Sequence, residues 1–273
     1  MSVFVDNVSA PELMPAFDAN LVEFWATYGR APNYEAYERE DIVRCMTDVP
    51  FPLFNGVYYT QLNHDAVATE IEKLKAAVQR WQMAAFWWVG PSSKPHDLST
   101  RLEQAGLAQA GYVTNMVVNL NDLDTDTPLP PEFSLQVVED KETLDTWAHV
   151  VAIGSELPPN ANEPLRVLEQ AVGIRPKHLS RRYIGYVNDV PVATSVLVLH
   201  AGVAGIYAVS TLEAYRQRGI GAAMTRLPLL DAHVLGYQVG TLQATQMGEP
   251  IYRRLGFYDI GRIDLHLLAP EAG

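Results

Sequence analysis

Between Gly205 and Met224 the chain passes from an apolar, β-branched run into Arg216-Gln-Arg-Gly-Ile-Gly221. No other stretch restricts the possible folds as much. Gly205 to Val209 predicts a buried strand, and Gly219 to Val234 predicts a helix bent near Pro228. Gly219 and Gly221 remove Cβ atoms where the backbone must turn and where a ligand can come close. The first N–H groups of a helix have no partner within it, and the helix dipole adds partial positive charge there. Such a helix start binds an anion, typically phosphate. Arg216 and Arg218 add charge-assisted donors. The spacing therefore predicts a diphosphate cradle at a strand-to-helix turn.

Two common phosphate binders do not fit. A dinucleotide fingerprint requires a third glycine where Met224 stands and an acid at the end of the following strand, and Val239 to Ala244 contains no acid. No Gly-Lys-Ser/Thr is present around the turn, which removes a P-loop. On spacing alone, glycines that merely cap a helix remain the other reading.

The rest of the chain organises around this turn. Its 273 residues suit two domains of ordinary size. The acidic, Pro-rich segment Asn121 to Pro131 has no apolar period and marks the junction. We expect an N-terminal domain over 1–122, a linker over 123–131 and a C-terminal domain over 132–273. The C-terminal half reads as strand Phe133 to Val138, helices Lys141 to Gly154 and Leu165 to Gly173, and a hairpin turning at Asn188-Asp189. The strand and helix already described follow. Strand Gln238 to Ala244, short helix Ile251 to Leu255 and strand Asp259 to Leu267 complete the series. This order predicts an α/β fold with a central mixed sheet. The N-terminal half shows a partial echo: strand Gly56 to Thr60, helix His64 to Met83, strand Ala85 to Val89, helix Leu98 to Ala105 and strand Tyr112 to Leu120. Trp87 and Trp88, adjacent on a strand, must face opposite sides of the sheet. An ancient duplication is one reading of the echo; the other is that any helix followed by a strand reads alike.

The single cysteine, Cys45, excludes an internal disulfide and a cysteine-based zinc site. It lies in Ile-Val-Arg-Cys-Met, read as a helix with an inert buried thiol. The formal net charge of -12 argues against a nucleic-acid backbone binder and tolerates cationic partners. The first twenty residues have no basic region ahead of an apolar core, so no signal peptide is expected, and the reducing cytoplasm is the expected compartment. Val190 to Val209 is long and nearly uncharged, but it is β-branched and broken at His200-Ala201-Gly202. Two strands are expected there, and no membrane span.

Arg216-x-x-Gly219-x-Gly221, following a strand and opening a helix, resembles the acetyl-CoA signature of the GCN5-related N-acetyltransferases. Gln243 to Phe257, ending in Leu-Gly-Phe, resembles that family's closing motif, and the strand order over 133–268 agrees. The resemblance implies a mixed, mostly antiparallel central sheet flanked by helices. It extends weakly to the first half, which would make two tandem domains of this kind, the first degenerate because Tyr59 to Ala68 has no glycine. It further implies acetyl-CoA as co-substrate, no metal, and direct attack by a primary amine of a small molecule. A protein or peptide acceptor and a non-catalytic acyl-CoA-binding module are the alternatives, and the oligomeric state stays open. By resemblance, the backbone of Ala208 and Val209 pairs with pantetheine, and the Val209 N–H polarises the acetyl carbonyl. The amides of Arg216, Gln217, Arg218, Gly219, Ile220, Gly221 and Ala222 hold the diphosphate, and Tyr252 protonates the departing thiolate. Glu156, in a loop that borders the acceptor pocket in this fold, is the first candidate for the general base, with His200 and Glu249 as alternatives. The first half is expected to wall the acceptor pocket.

Overall fold

The computed structural model describes residues 4–124 and 126–271. The first half contains α1 (Leu13–Gly29), β1 (Glu35–Glu38), β2 (Ile42–Met46), β3 (Gly56–Thr60), α2 (Val67–Trp81), β4 (Ala85–Val89), α3 (Leu98–Gln104) and β5 (Ala108–Asn119). The second contains β6 (Phe133–Val137), α4 (Lys141–Gly154), α5 (Asn162–Val172), β7 (Ser180–Val187), β8 (Val190–His200), β9 (Val203–Thr211), α6 (Ile220–Val234), β10 (Val239–Ala244), α7 (Glu249–Arg254) and β11 (Tyr258–Leu268).

Local chemistry fixes several boundaries. Asp140 caps α4 by accepting the Thr143 N–H at 2.8 Å. Asn188 and Asp189 both take left-handed backbone angles, as do Ala201 and Gly202. These are the angles that a two-residue hairpin turn requires, so Val190 to His200 and Val203 to Thr211 form paired strands. Among the described residues no helix is long and apolar enough to cross a membrane.

All eleven strands form one sheet, in the order β1-β2-β3-β4-β11-β5-β10-β9-β8-β7-β6. Each half therefore lends its last strand to the other. β5 of the first half pairs with β10 of the second, β11 of the second pairs with β4 of the first, and β5 and β11 pair with each other in the middle. Among the described strand pairs, only β3–β4 and β9–β10 are parallel. Each parallel pair matches two residue pairs, Gly56/Phe86 and Val57/Trp87 in one, Ala204/Gly240 and Thr241/Gly205 in the other. Beyond those pairs the two strands part.

Helix α1 contacts β1–β3 near one end of this sheet and β8–β9 near the other, so the sheet curls around it. Its Leu21, Phe24, Trp25 and Tyr28 enter one core with residues of both halves, including Phe54, Trp88, Trp147 and Tyr207. The Tyr28 hydroxyl donates to Glu169 at 2.9 Å, and Glu169 pairs with Arg182 at 2.6 Å; Glu169 is fully buried. Removing one member of such a buried pair typically costs about 3–5 kcal/mol. Trp87 faces α2 and α3 while Trp88 faces α1, the opposite placement that strand geometry requires.

One local expectation is corrected. Ile42 to Met46 is a strand, not a helix. All five residues are buried, so the segment has neither the alternation of a half-buried strand nor a polar helical face. Cys45 is fully buried, and burial pushes its thiol up to about 12, which leaves it inert at neutral pH.

Candidate functional site

The site grows from a bulge in β9. Ser210 lies opposite Thr194 and Tyr207 opposite Val196, so Ala208 and Val209 together face the single residue Ser195. Ala208 takes a left-handed angle, φ 49°. Thr194, fully buried, fixes the distortion: its hydroxyl donates to the Ala208 carbonyl at 2.9 Å and lies 2.8 Å from the Ser210 hydroxyl. The bulge falls where β9 has already parted from β10.

Past β9 the chain makes a short turn over Glu213–Tyr215 and enters the glycine motif. Gln217 and Gly219 both have positive φ, 62° and 79°. Gly219 forms the N-cap of α6, and buried Ile220 anchors the first turn. Beside Gly221 the space is open: a Cβ there would find its nearest neighbours, Ile251 and Thr211, 3.9 Å away. A helix start with free first-turn amides and an unfilled approach fits a diphosphate.

The two arginines of the motif behave differently from the simple expectation. Arg216 is bound within the protein. Its Nε donates to the Thr211 carbonyl at 3.0 Å, one Nη to the Gly154 carbonyl at 3.0 Å, and the other pairs with Glu156 at 2.6 Å. It thereby ties the end of β9 to the end of α4. Arg218 is exposed, stacks over the Tyr215 ring at 5.2 Å and donates to the Ala214 carbonyl at 2.8 Å. Backbone amides, with exposed Gln217 and Arg218 beside them, are the donors left to an anion.

Tyr252, on α7, is partly buried and lies beside Thr225 of α6. The Thr225 hydroxyl in turn donates to the Gly221 carbonyl at 3.0 Å. Buried Thr225 therefore stands between the glycine turn, to which it is bonded, and the Tyr252 ring beside it. Burial pushes the Tyr252 phenol up to about 12. Gly248 makes room for its ring, since a Cβ at 248 would come within 2.9 Å of it.

The three carboxylate and imidazole candidates separate in space. Glu156 is exposed and paired with Arg216. His200 sits at the β8–β9 turn, opposite Val203 and therefore at the far end of β9 from Ala208. Glu249 starts α7 and accepts the Thr114 hydroxyl at 2.5 Å. Thr114 belongs to β5, so the exchanged strand of the first half reaches the elements of the second-half site. Its neighbour Asn115 is fully buried beside Gln243, with neither side-chain amide atom hydrogen-bonded. Sequence reading did not single out Thr114, Asn115 or Thr194. A polar pair inside the apolar run Val113 to Val118 was the available signal for the first two.

No protein-family model matches this sequence, and no curated protein matches it. Solved structures do. A GCN5-related N-acetyltransferase from Kribbella flavida is similar at 19% identity and a TM-score of 0.67, over 93% of this chain and 96% of that one. Another from Sphaerobacter thermophilus is similar at 18% identity and 0.60, over 88% and 77%. A tandem GNAT protein from the clavulanic acid biosynthesis pathway is similar at 11% and 0.56, over 85% and 79%. These likenesses span both halves and the sheet that joins them: the chain has the fold of the GCN5-related N-acetyltransferases, in tandem form.

Proposed function

We propose that this chain is an N-acetyltransferase that moves an acetyl group from acetyl-CoA to a primary amine, with the reaction in the second half, residues 132–273. The observation that carries this reading is the meeting of an anion-fitting turn at Gly219–Gly221 of α6 with the neutral phenol of Tyr252 on α7, which lies beside Thr225 of α6.

Acetyl-CoA, when bound, supplies an activated acyl group as a thioester. The amides of Ile220, Gly221 and Ala222, with Gln217 and Arg218 beside them, hold its diphosphate. Arg216 braces the loop from behind through Thr211, Gly154 and Glu156. The bulged backbone at Ala208 and Val209 orients the pantetheine arm, and the Val209 N–H draws charge from the acyl carbonyl as a neutral amine attacks it. Tyr252 keeps its proton at neutral pH and gives it to the departing thiolate. No covalent intermediate on the protein is needed. We assign Glu156 to holding Arg216; the proton that the amine sheds on forming the amide passes through solvent and restores the Tyr252 phenol.

The acceptor is a small-molecule amine in this reading. A net charge of -12 favours a cationic partner. The first half, 1–122, with the linker 123–131, walls the acceptor side: Phe51, Leu53 and Phe86 pack against the same core as Ala208 and Leu157.

Calorimetric titration with acetyl-CoA, CoA and NAD tests the proposal. One acetyl-CoA site per chain, no NAD binding and amine-dependent release of free thiol are expected. Absence of acetyl-CoA binding would overturn it.

A further inference from the structure

In the first half β3 and β4 part after two residue pairs, as β9 and β10 do in the second. Here, however, no glycine turn follows. A cavity of about 570 Å³ lies instead between α1 and the segments that leave β3 and β4, which meet again at the Gln61/Lys94 bridge. That volume lies within the range of small-molecule sites. Met14 and Val22 of α1, Val43 of β2 and the Tyr59 ring of β3 make its walls largely apolar.

One acid interrupts those walls. Asp18 of α1 accepts a hydrogen bond from Ser92 at 2.5 Å and, among the described residues, forms no ion pair. Burial raises its carboxyl to about 6, with only the Ser92 hydrogen bond opposing, and burial followed by the Asp18 charge raises the phenol of neighbouring Tyr59. Two cations line the same cavity, but neither offsets this acid. Arg39 is engaged by Asp41 at 2.6 Å and Glu70 at 3.0 Å, and Lys94 is exposed. A partly buried carboxylate without a counter-charge, set among apolar walls, is matched by a ligand that brings the cation and an apolar body together.

We propose that this cavity is a second small-molecule site, taking a primary amine on an apolar body, with the ammonium at Asp18 and the body against Met14, Val22, Val43 and Tyr59. The site is separate from the acetyl-transfer reading and stands or falls without it.

The test is calorimetric titration of the full chain with phenethylamine and, as a neutral isostere, 2-phenylethanol. The expected result is one amine site per chain at pH 7.5, with the alcohol at least about tenfold weaker. Protonation of Asp18 should weaken the amine about tenfold at pH 5. The other titratable groups lining the cavity are Tyr59, Arg39 and Lys94. Asp18→Asn should weaken the amine at least about tenfold. Ala19→Phe, which fills the cavity from α1, should remove binding. Thermal melts of both variants establish that they are folded. Gly221→Glu and Tyr252→Phe should leave amine binding unchanged. The proposal is overturned if no amine binds, if the alcohol binds equally, if both cavity variants bind as the parent does, or if Gly221→Glu or Tyr252→Phe alone abolishes binding. The last result would place the amine in the acetyl-transfer site instead.

Discussion

The Arg216 guanidinium lies 2.6 Å from the Glu156 carboxylate. The first residue of the glycine motif and the carboxylate expected to take the acceptor's proton are thus partners. The Glu156 side chain is 69% exposed, so the pair contributes about 0–1 kcal/mol. Glu156→Gln should raise KM for acetyl-CoA by at most about fivefold and leave kcat within about twofold. A large fall in kcat at constant KM would instead give Glu156 the base role. Steady-state kinetics at varied acetyl-CoA separates the two.

Gly221 offers a second test. Its surroundings accept a methyl group, with no heavy atom nearer than 3.9 Å, so Gly221→Ala should fold normally. Gly221→Glu should fold as well but place a carboxylate where the diphosphate binds. Its acetyl-CoA affinity should fall below detection by calorimetry. Retained affinity would remove the cradle assignment.

Tyr252→Phe should lower kcat by roughly ten- to a thousandfold with little change in cofactor affinity, the range for a lost general acid. The sign of the pH dependence follows from burial. A phenol raised to about 12 stays protonated in the folded protein until well above its ordinary value. The rate profile should therefore show no loss from Tyr252 ionisation below about pH 11.

Asp18 predicts a pH-dependent stability. Its raised carboxyl favours the neutral form in the folded state. That contribution is complete below about pH 4 and lost as pH rises through about 6. Asp18→Asn should consequently melt about 2–6 °C higher than the parent at pH 8 and match it near pH 4. Equal melting temperatures at both pH values would show that the carboxyl is better solvated than its position indicates.

The legible parts of the sequence were those with a local cause. Asn188-Asp189 turns the chain because both residues accept left-handed angles, and Gly219 caps α6 for the same reason. Helix α2 announced itself through Val67, Ile71, Leu74 and Val78, all buried on one face. Helix α1 gave no such signal, because it is enclosed on several sides and even Asn20 is fully buried, bonded to the carbonyls of Val198 and Val203 and to the Tyr207 hydroxyl. The glycine cradle was readable for its backbone geometry. The engagement of Arg216 was not, since Glu156 stands sixty positions away and only the fold brings them together. Strand exchange was invisible for a related reason: the continuous buried run Val113 to Val118 of β5 would be buried whichever strand it pairs with.

That exchange gives the first half a tenure independent of its chemistry. β5 is flanked on one side by β10 and on the other by β11, and its Thr114 holds Glu249 beside Tyr252. A half without a glycine turn can drift in sequence, yet it cannot be discarded, because its final strand is a structural part of its neighbour. The same bond runs the other way through β11 and β4. Gene fusion would ordinarily leave two modules free to be shuffled or lost; here each is hostage to the other, and selection on one site also preserves the scaffold of the second.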